Sequence, residues 1–139
     1  MWYIAGVIIF IGVLIFIFWF INRQGSDYDE LDQKNIHLKW QKIHTLLQEK
    51  NDFAWRQAVI EADNIFDELL KHKGFGGSSL GERLKIAQGR YKELRAVWPA
   101  HILRNRLVHE TDTHINQHQA KKAVADFQVA LRALGLHIK

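Results

Sequence analysis

The sequence contains no cysteine, and this absence excludes disulfide frameworks, thiolate zinc sites and cysteine nucleophiles. Only one of the 139 residues is a proline, and the formal net charge is +4. Both values argue against a collagen-like or disordered chain. No segment alternates apolar and polar residues for long enough to be a β-strand. The composition therefore fits a single small helical domain.

The beginning of the sequence also lacks charge, because all 19 Lys and Arg and all 15 Asp and Glu lie between Asn22 and Lys139. A helix of about 20 apolar residues matches the hydrocarbon thickness of a bilayer. Trp2 and Trp19 stand near the two ends of this segment, where aromatic rings favour the headgroup level. We therefore expect a single transmembrane helix at residues 1–21, with the lipid bilayer as its partner.

The orientation of this anchor follows from the basic residues next to it. Arg23, Lys34, Lys39 and Lys42 come after the apolar segment, and no basic residue precedes it. The positive-inside tendency then places the C-terminal part in the cytoplasm, in a single-pass protein of the inner (cell) membrane. We expect a polar hinge at residues 22–26 and a cytoplasmic helical domain at residues 27–139.

Caps and helix breakers divide the second part of the sequence into five helices. Ser26 and Ser79 open two of them as capping boxes, and Asn51 caps a third. Trp98-Pro99 ends the third helix and starts the fourth, which extends to Glu110. Apolar residues recur at helical spacing at Ile36, Trp40, Ile43, Leu47, Trp55, Ala58, Val59, Ala62, Ile65, Phe66, Leu69, Leu70, Leu80, Leu84, Ala87, Tyr91, Leu94, Ala120, Val124, Phe127, Leu131 and Leu134. The pattern predicts an all-α fold, in which a small antiparallel helical bundle follows the transmembrane helix.

A short motif of chemical interest, Arg104-Asn105-Arg106-Leu107-Val108-His109, lies near the end of the fourth helix. Arg104 and His109 are five residues apart, about 140° around a helix, so they flank a shared edge. A guanidinium binds phosphate through a planar fork and stabilises charge that develops on it. Histidine side chains move protons near neutral pH. An RNA 2′-hydroxyl beside its phosphate suits this pair of groups.

The arrangement Arg104-Asn105-x-x-x-His109 resembles the Arg-x4–6-His signature of the HEPN superfamily, whose members often carry Asn directly after the Arg. The resemblance implies an antiparallel bundle that forms a homodimer through the motif helix, so that two Arg/His pairs face each other. Many members are metal-independent RNA endonucleases, and others are non-catalytic binding or assembly modules. It assigns catalysis to Arg104 and His109, and gives Asn105 the role of orienting His109 or binding phosphate. The anchor and the acidic Glu110 depart from the family pattern.

An alternative interpretation makes the same residues structural. Asp63 lies on the Val59 and Phe66 side of the second helix, beside its apolar stripe. A carboxylate in that position requires a partner. Arg104, Asn105 and His109 would then form a buried network with Asp63. Exposure of Arg104 and His109 in a groove favours the nuclease, whereas burial of both against Asp63 favours a structural role.

Basic residues surround the motif. Only the acidic Glu93 interrupts the basic residues Arg83, Lys85, Arg90, Lys92, Arg95, Arg104 and Arg106. Such an excess suits a phosphate backbone, with Arg106 as a further phosphate-binding residue, or alternatively anionic lipid headgroups.

His114 and His118 are four residues apart but match no zinc motif, so we expect neither a metal nor another cofactor.

Two functions therefore remain open. In the first, a membrane-anchored HEPN-like domain cleaves RNA without a metal through Arg104 and His109, supported by Asn105, Arg106 and Asp63. In the second, the chain is a non-catalytic, membrane-tethered adaptor whose helical surface binds a protein partner.

Overall fold

The computed structural model describes the backbone of residues 2–138 and the side chains of residues 6, 7, 9–18 and 32–138. All regular structure in this part of the chain is helical, which confirms the all-α prediction. The helices are α1 (Trp2–Gln48), α2 (Asp52–His72), α3 (Leu80–Arg90), a 3₁₀ helix (Lys92–Val97), α4 (Trp98–His109) and α5 (Gln117–Ala133).

The chain divides into two compact units, Met1–Asn35 and Ile36–Lys139. The first consists of the N-terminal part of α1, in which large apolar side chains such as those of Ile9, Phe10 and Phe18 are exposed. The second contains the end of α1 and all the following helices. The residues singled out for function all belong to the second unit.

The prediction of a transmembrane helix is wrong. Among the described residues, no helix combines the length and the apolar character that crossing a membrane requires. A span needs about 20 consecutive apolar residues. The inner-membrane location and the cytoplasmic topology were derived from that helix, so they are overturned with it.

The segment predicted as a hinge, residues 22–26, has a helical backbone and belongs to α1. Gly25 is the only glycine in this segment, and one glycine inside a helix costs only about 1 kcal/mol relative to alanine. The predicted capping box of Ser26 and Asp29 lies outside the side chains that the structure describes.

The core of the second unit forms around α2, which packs against α3, α4 and α5. The apolar residues that the helical spacing selected, from Ile36 to Leu134, are buried as predicted, except Trp55 and Tyr91, which are partly buried against the core. Phe66 of α2 meets Phe127 of α5 with ring centroids 5.8 Å apart. Burial of each large side chain contributes about 1.5–3 kcal/mol. This packing holds α2 and α4 side by side, and the site described below lies between them.

Local hydrogen bonds fix the predicted helix ends. The Asn51 side chain accepts from the backbone N–H of Ala54 at 2.8 Å. Ser79 Oγ accepts from the N–H of Glu82 at 3.3 Å, as expected for a capping box. The Glu82 carboxylate, however, accepts from the N–H of Ser78 at 2.7 Å instead of reaching Ser79. This backbone donor, together with the Ser78 hydroxyl, holds the pKa of Glu82 below its usual value.

The third helix is shorter than predicted. It ends at Arg90, and Tyr91 adopts an extended conformation before the 3₁₀ helix begins. The Tyr91 ring packs edge-on against Phe75, with centroids 6.2 Å apart. This long-range packing, which periodicity does not reveal, turns the chain before Trp98.

Gly77 has the most restrictive backbone position in the loop between α2 and α3. Its φ is +136°, and an added Cβ would lie 2.9 Å from Glu82 Cβ and 3.0 Å from the backbone nitrogen of Arg83. We therefore expect Gly77→Ala to lower the free energy of unfolding by about 1–3 kcal/mol, measured by urea denaturation. Gly76→Ala is the matched control, because a Cβ there meets no atom within 4 Å. Equal effects of both substitutions would contradict this assignment.

Candidate functional site

Helix α4 carries the Arg/His motif along the side of α2. Pro99 lies in its first turn, where the missing N–H of proline costs no hydrogen bond. The helix ends at His109, so Arg104 and Asn105 lie in its middle and His109 at its end. Leu107 is buried and attaches this end of α4 to the core.

Asp63 is the buried acidic residue of the site. Its residue exposure is 2%, and it stands on α2 facing α4. Oδ1 lies 2.7 Å from Nδ1 of His101, and Oδ2 lies 3.1 Å from Nε of Arg104. The Nε–H of Arg104 is not aligned for a hydrogen bond, so this second contact is an ion pair only. Two groups on α4 therefore stabilise the buried charge of Asp63.

Asn105 joins these groups to each other. Its Oδ1 accepts from Nη1 of Arg104 at 3.2 Å, and its Nδ2 lies 3.2 Å from Nε2 of His101. The resemblance implied instead that Asn105 orients His109, which lies four residues further along α4. The helix directs Asn105 backwards, because a side chain leans toward the N-terminal turn of its helix.

His109 is exposed at the end of α4 and does not join the network around Asp63. It lines an open cavity of about 690 Å³ together with Arg104, Asn105 and His101. Arg104 keeps 24% of its side chain exposed. The outcome is divided between the two interpretations: Arg104 pairs with Asp63, as the structural alternative expects, whereas His109 stays accessible, as the nuclease requires.

Arg106 points away from this cavity. It is exposed, and its Nε lies 3.4 Å from Oε2 of Glu110 on the next turn. It lines a separate depression together with residues 110–114. Arg106 and Arg104 are two residues apart on a helix, so they face different sides. The predicted phosphate-binding role of Arg106 therefore has no support from its position.

The turn that follows the motif is held by residues that the sequence did not single out. Arg56 of α2 donates to the carbonyl of Leu107 from Nη1 and to the carbonyl of Thr113 from Nη2, both at 2.6 Å. The Thr113 hydroxyl donates to Glu110 at 2.7 Å and lowers the pKa of that carboxyl. These bonds satisfy a carbonyl that the end of α4 leaves open, and they fix the last turn that carries His109.

A second ion-pair cluster also lines the cavity. Arg83 donates to Asp67 from Nε at 2.7 Å and from Nη2 at 3.0 Å, and its Nη1 donates to the carbonyl of Gly77. Lys71 Nζ lies 2.7 Å from the same carboxylate. Burial raises the pKa of Asp67, but the hydrogen bonds from Arg83 and Lys71 outweigh burial and hold that pKa below its usual value.

Because the pKa of Asp67 is lowered by folding, its contribution to stability is present above the unfolded value of 3.8 and is lost as the pH falls through the folded pKa. We expect Asp67→Asn to cost about 1.5–3 kcal/mol of unfolding free energy at about pH 7 and progressively less below pH 3.8. Urea denaturation across this pH range measures the difference. Asp126→Asn is the control, since its pair with Lys122 lies within one helix and contributes less than about 1 kcal/mol.

The basic residues near the motif do not form a uniform charged face. Arg83, Arg104 and Arg106 are each paired with a carboxylate. The remaining ones, Lys85, Arg90, Lys92 and Arg95 on α3 and the 3₁₀ helix, are exposed. Among these, Lys85 also lines the cavity. Ion pairs thus reduce the excess positive charge that the sequence suggested.

His101 is the functional candidate that the sequence analysis missed. It is only 7% exposed, and it contacts both Asp63 and Asn105. A signal was present, because His101 precedes Asn105 by four residues and thus shares a helix face with it. His109 also lies four residues from Asn105, on its other side, and the resemblance assigned Asn105 to that histidine.

Among the described side chains, no three His, Asp or Glu residues are grouped as ligands for one metal ion. No protein-family model, curated protein or solved structure matches this chain. The resemblance to the HEPN superfamily therefore stays a prediction that rests on the motif.

Proposed function

We propose that the helical domain of residues 36–139 binds RNA and cleaves it without a metal, in the manner that its HEPN-like motif implies. One observation carries this proposal: Arg104 and His109 both line the same open cavity of about 690 Å³. A guanidinium and an exposed imidazole that border one cavity are able to reach the same phosphodiester.

In the proposed reaction, Arg104 binds the scissile phosphate and stabilises the negative charge that accumulates on its oxygens. His109 transfers a proton as general acid or base. The 2′-oxygen loses its proton and forms a bond to phosphorus, while the bond from phosphorus to the 5′-oxygen breaks and that oxygen gains a proton. The products are a 2′,3′-cyclic phosphate and a 5′-hydroxyl.

This reaction moves two protons, and His109 of one copy supplies a single imidazole. His101 is not suited to the second transfer, because its two ring nitrogens contact Asp63 and Asn105. A homodimer through α4 brings a second His109 to the same phosphate. We therefore propose a homodimer as the active form, and sedimentation equilibrium of the full chain tests its existence.

A specific observation also favours a second candidate function, a non-catalytic module that binds a protein partner. Phe53 is 75% exposed and Val108 is 47% exposed, and both line a depression next to His109. Exposed apolar side chains that lie next to each other mark interaction surfaces. The pairing of Arg104 with Asp63 is also compatible with a purely structural motif.

The deciding experiment is cleavage of a labelled single-stranded RNA by the full chain in the presence of EDTA. We expect cleavage with cyclic phosphate termini, and no cleavage of the matched oligonucleotide that carries 2′-deoxy sugars, because the 2′-hydroxyl is the nucleophile. Equal cleavage of both oligonucleotides would contradict the mechanism. Absence of cleavage from every RNA tested would favour the binding module.

A further inference from the structure

Four side chains from α2 and α4 form a closed ring of polar contacts. Asp63 meets His101 at 2.7 Å, His101 meets Asn105 at 3.2 Å, Asn105 meets Arg104 at 3.2 Å, and Arg104 returns to Asp63 at 3.1 Å. Asp63 lies 38 residues before His101 in the sequence, so the ring exists only in the folded protein. It ties the motif helix to α2.

The hydrogen-bonding chemistry of this ring permits only one arrangement of protons. A guanidinium only donates, so Arg104 fixes the carboxamide oxygen of Asn105 toward itself and the amide nitrogen toward His101. Nε2 of His101 must then accept. A carboxylate only accepts, so Nδ1 of His101 carries the proton and donates to Asp63. His101 is therefore held in one tautomer.

Packing also holds the ring of His101 in place. The Trp98 ring lies edge-on to it, with centroids 6.0 Å apart. Trp98 itself donates from Nε1 to Gln88 on α3 at 2.8 Å. A catalytic group is most precise when the residues that hold it are themselves locked by packing and hydrogen bonds.

We propose that His101 is a positioning residue that holds Arg104 ready to bind a phosphodiester, and this inference rests on the proposed function. His101 acts through Asp63 on one side of the guanidinium and through Asn105 on the other. Among the described residues, Nη2 of Arg104 has no hydrogen-bond acceptor, and the side chain lines the cavity. Asn105 thus holds Nη1 of Arg104, and Nη2 remains available for a hydrogen bond to the substrate.

Three substitutions of His101 separate the two contacts. In His101→Asn the amide nitrogen takes the place of Nδ1 and still donates to Asp63. In His101→Gln the amide oxygen takes the place of Nε2 and still accepts from Asn105. His101→Phe keeps the ring shape and removes both contacts.

We expect kcat/KM for RNA to fall about 100-fold in His101→Phe and about 10-fold in His101→Asn and His101→Gln, because the guanidinium loses its fixed geometry. The loss is expected in KM as well as in kcat, since Arg104 binds the phosphate before the reaction and stabilises its charge during the reaction. His109→Ala, in contrast, lowers kcat. A loss in His101→Phe that falls on kcat alone, with KM unchanged, would overturn the positioning role.

Nitrogen NMR of the full chain tests the same inference without any activity. We expect His101 to carry its proton on Nδ1, and the guanidinium N–H signals of Arg104 to be resolved in the wild type and averaged in His101→Phe. A proton on Nε2 of His101 would overturn the proposal, as would unchanged Arg104 signals in a folded His101→Phe variant. If His101→Phe does not fold, His101→Gln and His101→Asn serve for the same comparison.

The two proposals fail separately. A wild-type chain that does not cleave RNA contradicts the proposed function, and the NMR comparison then still decides the role of His101. Averaged Arg104 signals support positioning in that case, and unchanged signals overturn it. Cleavage that is insensitive to His101→Phe would retain the nuclease and remove His101 from the site.

Discussion

RNA cleavage by the His109→Ala variant is expected to be about 100- to 10,000-fold slower than by the wild-type chain, the usual contribution of a general acid or base. His109 is exposed at the end of α4, so its removal leaves the core intact. Thermal unfolding of the variant is therefore expected to match that of the wild type, since exposed substitutions change stability by less than about 0.5 kcal/mol. Cleavage rates in EDTA and circular dichroism measure the two quantities.

His118→Ala is the matched control for this prediction. His118 is exposed on α5 and is not among the residues that line the cavity beside Arg104. We expect its variant to cleave RNA at the wild-type rate. Equal losses in both variants would mean that the activity does not come from this cavity, and an unaffected His109→Ala variant would remove His109 from the mechanism.

The second large effect is expected from Asp63→Ala, which we predict to lower the free energy of unfolding by about 3 kcal/mol. The substitution removes the carboxylate that pairs with Arg104 and accepts from His101. His101 then loses its hydrogen-bond acceptor and Arg104 loses its counter-charge, both in mostly buried positions. The value lies at the low end for a broken buried pair, because Arg104 keeps 24% of its side chain in contact with water. Urea denaturation measures the change.

Glu68→Ala controls for the loss of a carboxylate from the same helix. Glu68 pairs with Lys39 at 2.9 Å, but both side chains are about half exposed. An exposed ion pair contributes less than about 1 kcal/mol, so we expect a small change. If Asp63→Ala and Glu68→Ala have the same effect, the ring around Asp63 does not stabilise the fold.

The helical fold was predictable because helix formation leaves local marks in the sequence. Apolar residues such as Trp40, Phe66 and Phe127 recur at helical spacing and are buried. Asn51 and Ser79 cap helices through side-chain bonds that span three residues. Such signals do not depend on which helices become neighbours.

Predictions that needed more than local pattern were less successful. Apolar composition alone suggested a transmembrane helix at residues 1–21, yet no helix in the described part of the chain meets the requirements for one. The end of α3 was also misplaced, because Tyr91 leaves the helix where its ring packs against Phe75, a residue in a distant loop.

The candidate site was predictable only in part. The sequence identified Arg104 and Asp63 and anticipated that a charge at the edge of the core needs a partner, and the structure pairs the two at 3.1 Å. It assigned Asn105 to His109, whereas the structure joins Asn105 to His101. Both histidines are four residues from Asn105, so spacing alone does not choose between them.

The sequence by itself determined that this chain is helical, where most of its helices begin and which faces they bury, because caps and periodicity act over a few residues. Only the tertiary structure decided that Asp63 faces His101 and that Arg104 and His109 line one cavity. The contact between Asp63 and His101 joins α2 to α4 across 38 residues of sequence. They depend on how the apolar faces of whole helices pack together, and no local pattern records that packing.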